Sequence, residues 1–224
     1  MIFFLILLKN IEKTYYNGTV KTEVLKDVNL SIEKGEFVCI YGVSGSGKST
    51  LLNILGLLDH ATAGLYELEN IDVKTLGKKE QAKIRNQKIG FVFQAYHLIH
   101  QLNALENIAV PLGYAGMARR EREKRARQLL EKFDMAYLER KYISQMSGGE
   151  QQRVAIARAV ANNPCVLFAD EPTGNLDQEN SKIVMDYLEQ LNAQGMTVVM
   201  VTHDTTLAKY GTRIVRVKDG RITN

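Results

Sequence analysis

Nine residues, Gly42-Val43-Ser44-Gly45-Ser46-Gly47-Lys48-Ser49-Thr50, constrain this chain more than any other stretch. They fit the phosphate-loop pattern Gly-x-x-x-x-Gly-Lys-Ser/Thr at every position. The residues before them, Phe37 to Tyr41, are apolar and of strand length, and Leu51 to Leu55 continue as a helix. A strand that turns through glycines into a helix aims backbone N–H groups at an anion, at the positive end of the helix dipole. Gly42, Gly45 and Gly47 let the backbone approach that anion closely. Lys48 adds a full charge, and the Ser49 hydroxyl suits Mg²⁺. The candidate phosphate contacts are Gly42, Ser44, Gly45, Ser46, Gly47, Lys48, Ser49 and Thr50. Nucleotide binding follows from the loop. Many unrelated activities share it, so the rest of the chain must say which one applies.

The 224 residues suffice for one large α/β domain or for a domain with an inserted subdomain. Hydrophobic residues make up 45% and charged residues 24%, which allows an ordinary core. The net charge of +4 makes no separate case for nucleic acid, although it suits a surface near anionic lipid. Cys39 and Cys165 lie in apolar strand-like runs without a Cys-x-x-Cys partner, and read as buried free thiols. The apolar run Ile2 to Leu8 is far shorter than the roughly 20 residues that cross a bilayer. It lacks the basic start and cleavage site of a signal peptide. Its second half reads as the opening strand.

Leu5 to Glu12 and Val24 to Glu33 read as strands of an antiparallel layer, with Lys13 to Gly18 as the turn between them. Tyr15 and Tyr16 lie in that turn. An exposed aromatic ahead of a phosphate loop either stacks on an adenine or is an ordinary surface tyrosine. Further on, the stretch 95–152 is nearly free of strand signal and reads as an inserted helical subdomain. Within it Ala126, Leu129, Leu130 and Phe133 recur at helical spacing. The opposite face carries Arg119, Arg120, Arg122, Lys124, Arg125 and Arg127, interleaved with Glu121 and Glu123. That face is a solvated surface with i,i+4 ion pairs or a contact for nucleic acid or lipid.

Three strand ends deliver polar groups. Ile89 to Phe93 ends at Gln94, which caps the sheet or reaches a metal-bound water. Val166 to Ala169 runs into Asp170 and Glu171, at the end of a strand where such sheets bind ligands. Successive side chains point to opposite faces, so the two acids divide their roles: Asp170 suits a Mg²⁺ shell, Glu171 an attacking water. Thr197 to Val201 leads to Thr202, His203 and Asp204. Ser147 with Glu150 is a capping-box pattern, and Gly148 and Gly149 leave the helix end bare of side chains, a second anion site or a plain N-cap.

Taken with Ser147-Gly148-Gly149-Glu150-Gln151-Gln152-Arg153, these motifs make almost the whole chain resemble the ATPase subunits of ABC transporters. The resemblance makes Gly42 to Ser49 the Walker A loop, Gln94 the Q-loop glutamine and Ser147 to Gln151 the signature. It makes Asp170 and Glu171 the Walker B aspartate and the catalytic glutamate, places Asn175 to Asp177 in the D-loop, and makes His203 the switch histidine. Tyr15 best matches the adenine-stacking aromatic, with Tyr16 the runner-up. The signature departs from the commonest form at Met146 and Glu150, while Ser147, Gly148 and Gly149 are intact. Leu55 to Asp59, Ile89 to Gln94, Glu106-Asn107 and Ala169 to Asp177 resemble the macrolide-export and lipoprotein-release branch, which also includes a cell-division member.

The resemblance implies a P-loop NTPase: a RecA-like α/β core with an antiparallel β subdomain (1–94 and 153–224) and an inserted helical signature subdomain (95–152). It implies ATP and Mg²⁺ as cofactors, with Ser49, Asp170 and Gln94 at the metal. Glu171, His203, Lys48 and Gln94 would act in catalysis. It also implies a homodimer around two ATP molecules and a peripheral place on the cytoplasmic face of the cell membrane. The chain closes soon after its last strand, so the permease is expected as a separate polypeptide. The function implied is ATP hydrolysis that drives efflux or extraction; the alternative is a regulatory ATPase of the cell-division type that moves no substrate. A soluble ATPase acting on DNA or ribosomes would show a coiled-coil insertion or tandem ATPase units, and neither is present.

Overall fold

The computed structural model describes residues 4–223. The start of the apolar N-terminal run, Met1 to Phe3, lies outside the described residues. Two sheets form the frame. Strands β1 (Phe4–Asn17), β2 (Val20–Glu33), β4 (Ala63–Leu68) and β5 (Ile71–Asp72) make an antiparallel layer in the order β2-β1-β4-β5. The second sheet has β3 (Phe37–Tyr41), β6 (Ile89–Phe93), β7 (Val166–Asp170), β8 (Thr197–Thr202), β9 (Arg213–Lys218) and β10 (Arg221–Thr223). Its order is β10-β9-β3-β8-β7-β6, parallel except at β10.

The helices are α1 (Lys48–Leu55), α2 (Lys78–Lys88), α3 (Ala104–Tyr114), α4 (Arg119–Lys132), α5 (Gly148–Ala159), α6 (Gln178–Ala193) and the single turn α7 (Thr205–Ala208). Alternation along β3 divides the interior. Val38 and Ile40 face the antiparallel layer and α1, whose Leu51, Leu52, Ile54 and Leu55 fill the space between the sheets. Phe37 and Cys39 face the opposite way, into a core built with α3, α4, α5 and α6. That is the period-2 pattern of a strand buried on both faces.

Two readings of the N-terminal layer need correction. Lys13 to Asn17 continue β1, and the turn is only Gly18 and Thr19. Tyr15 and Tyr16 therefore sit in the strand, paired with Thr22 and Lys21. Register shifts around Leu8, Ile11 and Lys13 break the alternation that would have marked the strand in sequence. In the helical region, α5 runs unbroken through residue 152, and Val154 to Ala157 share one core with α3 and α4. The helical segment and the sheet thus have a helix in common.

The thiols are kept apart. Cys39 is level with Met200 on β8, and Met200 with Ala169 on β7, four residues beyond Cys165. Two strand spacings of about 4.8 Å and an offset of about 13 Å along the strand exclude a bridge. Cys39 is buried and Cys165 half-buried; burial pushes both thiols up, to about 12 and about 11.

Candidate active site

The phosphate loop leaves β3 at Tyr41 and enters α1 at Lys48. Gly47 caps α1 at φ 102° with no side-chain hydrogen bond, so the first N–H groups of α1 have no capping partner. A side chain at Gly47 would also strike Leu25 and the Val24 carbonyl. Lys48 is 5% exposed, and its Nζ donates to the Val43 carbonyl at 2.8 Å. An ammonium has three donors, and this bond uses one. Burial lowers the Lys48 pKa, an effect that the charges of Glu171 and Asp170 partly offset. Ser46 Oγ is buried and has no partner. A buried cation with spare donors and an orphaned hydroxyl, at a helix start without a side-chain cap, fit a polyphosphate.

Three strand ends, those of β6, β7 and β8, meet beside this loop. From β7, Asp170 Oδ1 accepts a hydrogen bond from Ser49 Oγ at 3.3 Å. Burial raises the Asp170 pKa, and the neighbouring Glu171 adds to the rise, against the opposing effects of Ser49 and Lys48. A Ser hydroxyl beside a carboxylate at the mouth of a phosphate site fits Mg²⁺, which takes one or two protein oxygens and completes its shell with phosphate and water. No group of three His, Cys, Asp or Glu side chains forms a closed metal cage among the described residues.

Glu171 turns out of the strand at φ 44°, and its N–H donates to the Val201 carbonyl. The change of direction sends its carboxylate away from Asp170, toward β8. Glu171 Oε1 and His203 Nδ1 are 2.8 Å apart. Gln94, from β6, meets the loop after Glu171: its Nε2 donates to Asn175 Oδ1 at 3.4 Å, and Asn175 Nδ2 donates to the Gln94 carbonyl at 3.0 Å. Gln94, Glu171 and His203 share the wall of one open cleft of about 660 Å³.

Ser147, Gly148 and Gly149 stand apart from this group. Among the described residues, no hydrogen bond joins them to the phosphate loop. Ser147 Oγ accepts from the Glu150 N–H at 3.3 Å, and Glu150 Oε2 accepts from the Ser147 N–H at 2.7 Å, a complete capping box. The helix end is not bare. A side chain at Gly149 would overlap Asn180, and one at Gly148 would come within 2.8 Å of the Tyr96 hydroxyl. Asn180 in the first turn of α6 and Tyr96 after β6 leave little room there for a larger residue.

Tyr15 lies near the other end of the site. Its hydroxyl donates to Asp59 Oδ2 at 2.6 Å, and the Thr50 hydroxyl, in the first turn of α1, also acts on it. Tyr16 is more exposed, at 68% against 42%.

Two residues escaped the sequence reading. Gln152 is fully buried on α5 and donates to the carbonyls of Pro172 (2.5 Å) and Phe93 (3.4 Å), one residue from Glu171 and from Gln94. Arg158, on the same helix, donates to the carbonyls of Tyr96 and His97, both at positive φ. Gln152 is buried and Arg158 half-buried on either side of the core residues Val154 to Ala157, and nothing in the spacing of α5 sets them apart from its other polar residues.

Comparison with known proteins agrees with this geometry. A family model described as "ABC transporter" matches residues 25–174. An ABC transporter ATP-binding protein of Methanocaldococcus jannaschii, MJ0796, is 49% identical over 97% of this chain and 95% of its own length. The macrolide export ATP-binding/permease protein MacB 2 of Aeromonas hydrophila is 47% identical over 97% of this chain, which spans 34% of that longer protein. The dimeric structure of MJ0796 in a post-hydrolysis state, bound to ADP and Pi, superposes with a TM-score of 0.90 at 47% identity, covering 98% of this chain and 97% of that one. This chain belongs to the ABC transporter family, as an ATP-binding ATPase subunit.

Proposed function

We propose that the chain hydrolyses MgATP to drive a separately encoded membrane permease in the export or extraction of a substrate. The observation that carries the reading is the convergence of Lys48, the Ser49–Asp170 pair, the Glu171–His203 pair and Gln94 at one end of one sheet. Lys48 and the loop N–H groups, with Ser44, Gly45, Ser46 and Thr50 in the cradle, hold the phosphates. Ser49, Asp170 and Gln94 hold Mg²⁺, which when bound shields the phosphate charge. Glu171 polarises the attacking water. His203, tethered to Glu171, orients the γ-phosphate. A carboxylate can only accept, so His203 Nδ1 carries the hydrogen of that tether.

The chain acts as a homodimer, each ATP held between Lys48 of one copy and Ser147-Gly148-Gly149 of the other. The dimeric MJ0796 structure supports this reading, as does the distance in sequence between the two anion sites. The permease places the ATPase at the cytoplasmic face of the membrane as a peripheral subunit. The likeness to MacB supports export, and no helix among the described residues is long and apolar enough to cross a membrane. No nucleic-acid contact enters the mechanism; on the basic face of α4, Arg119 and Arg127 pair with Glu123 and Glu139.

Turnover of Glu171→Gln tests the chemistry: a fall of at least about 10²-fold is expected, and a rate near the parent's removes Glu171 from the water-activating role. Affinity purification from membranes tests the coupling. Recovery of a membrane protein with a large extracytoplasmic domain is expected; recovery in the soluble fraction alone contradicts it.

A further inference from the structure

Three residues outside the phosphate site form a closed polar cluster around Tyr15. Lys13 is 8% exposed, and its Nζ donates to Asp59 Oδ1 and to the His60 carbonyl, each at 2.7 Å. Asp59 Oδ1 also accepts from the His60 N–H at 2.7 Å, and Oδ2 takes the Tyr15 hydroxyl at 2.6 Å. The same Lys13 ammonium lies over the Tyr15 ring, 4.6 Å from its centroid. Burial pushes the Asp59 carboxyl up, but the hydrogen bonds of Lys13 and Tyr15 outweigh that and hold it below the ordinary range.

Lys13 is buried and Asp59 half-buried, and taking such charges from water is costly unless they are bonded. Here the bonds converge on a tyrosine that is itself 42% exposed. An exposed tyrosine ordinarily turns about its side-chain torsions, and a ligand that stacks on it must first stop that motion. Asp59 fixes the far end of this ring, and Lys13 covers one of its faces. The ring is otherwise part-exposed, which leaves room for a flat ligand beside Thr50 at the start of α1.

From this geometry we infer that Lys13 and Asp59 are positioning residues, which hold the Tyr15 ring as a preformed platform for the purine of the nucleotide. The inference rests on the reading of Tyr15 as the base-stacking residue and adds what makes that residue effective. It also assigns the pair a contribution to the base alone: the triphosphate, held by the loop and Lys48, gains nothing from it.

Calorimetric titration with MgATP and with magnesium tripolyphosphate, which has no base, separates this role from a structural one. Asp59→Ala and Tyr15→Ala are each expected to weaken MgATP about tenfold, with tripolyphosphate affinity changed less than about twofold. The double variant is expected to lose no more than either single one, because both remove the same platform. Equal weakening of ATP and tripolyphosphate by Asp59→Ala makes the pair a structural pin and overturns the inference. Additive losses overturn it as well, and so does parent-like ATP affinity in Asp59→Ala while Tyr15→Ala weakens it. If Tyr15→Ala itself binds ATP as the parent does, the stacking reading fails, and the inference with it. Should Asp59→Ala not fold, Asp59→Asn and Lys13→Met take its place, with an expected loss of about threefold for ATP alone. Parent-like affinity in both is then the contrary result.

Discussion

The chain has two helix ends that could face a phosphate, and they are built in opposite ways. α1 begins at Gly47 with no side-chain cap, a buried lysine with spare donors and an orphaned buried hydroxyl at Ser46. α5 begins at Ser147 with a complete capping box, and side chains of its own chain close around its glycines. The first end is left unsatisfied and needs a ligand. The second is satisfied, apart from the N–H groups of its first positions, where a helix has no internal acceptor. Such an end is stable alone and adds a weak anion contact when another molecule presents the anion. On the proposed reading the phosphate loop binds ATP within one chain, and the signature of a second copy adds the contact that closes the site.

That contrast can be broken first at its stronger side. Lys48→Ala removes the charge at the loop and is expected to weaken ATP about 10²-fold in the monomer, read by equilibrium titration. A loss below about fivefold would mean that the backbone N–H groups carry the phosphates. Ser147→Arg attacks the other side. It is expected to leave ATP affinity of the monomer within about twofold, since the signature adds nothing until a partner arrives. A large loss there would make the signature part of the same-chain site.

A smaller effect sharpens the contrast at the base. Tyr15→Ala is expected to cost about 1–2 kcal/mol of ATP binding, and Tyr15→Phe, which keeps the ring but loses its bond to Asp59, as much as Asp59→Ala; the same substitutions at Tyr16 test the runner-up. The smallest effect lies in the stability of the nucleotide-free protein. The Asp170 carboxyl is raised in the fold by burial. The folded state therefore holds this proton more tightly than the unfolded chain does. Stability is lost as pH rises from the unfolded carboxylate range through the raised folded value. Asp170→Asn removes that loss and is expected to raise the thermal midpoint at neutral pH by a few degrees, while lowering activity. A lower midpoint would show that Asp170 supports the fold through its bond with Ser49.

The legibility of the two regions differs for the same reason. Gly42 to Ser49 is a local motif: strand, turn and helix are consecutive, and the backbone itself makes the site. Gln94, Asp170, Glu171 and His203 were readable because each ends an apolar strand, and parallel strands carry their ends to one edge. The Glu171–His203 and Ser49–Asp170 contacts then follow from β7 lying beside β8 and within reach of α1. What sequence did not reveal depends on neighbours far along the chain. Gln152 bonds to carbonyls 59 and 20 residues away, and Lys13 to a carboxylate 46 residues away. Bulges in β1 hid five residues of strand and turned Tyr15 from a turn residue into one held on a sheet. The packing of Asn180 and Tyr96 on the signature glycines was equally invisible, and it changes what those glycines mean.

If two copies complete each other's sites, their association depends on nucleotide, and sedimentation reads it. In Glu171→Gln both phosphate-facing ends are intact and only the group proposed to activate water is lost. With MgATP at tens of micromolar protein, this variant is expected to sediment as a long-lived dimer, and without nucleotide as a monomer. Adding Ser147→Arg is expected to abolish the dimer while ATP stays bound to the monomer. A Glu171→Gln protein that remains monomeric in MgATP, or a dimer that survives Ser147→Arg, contradicts the shared site.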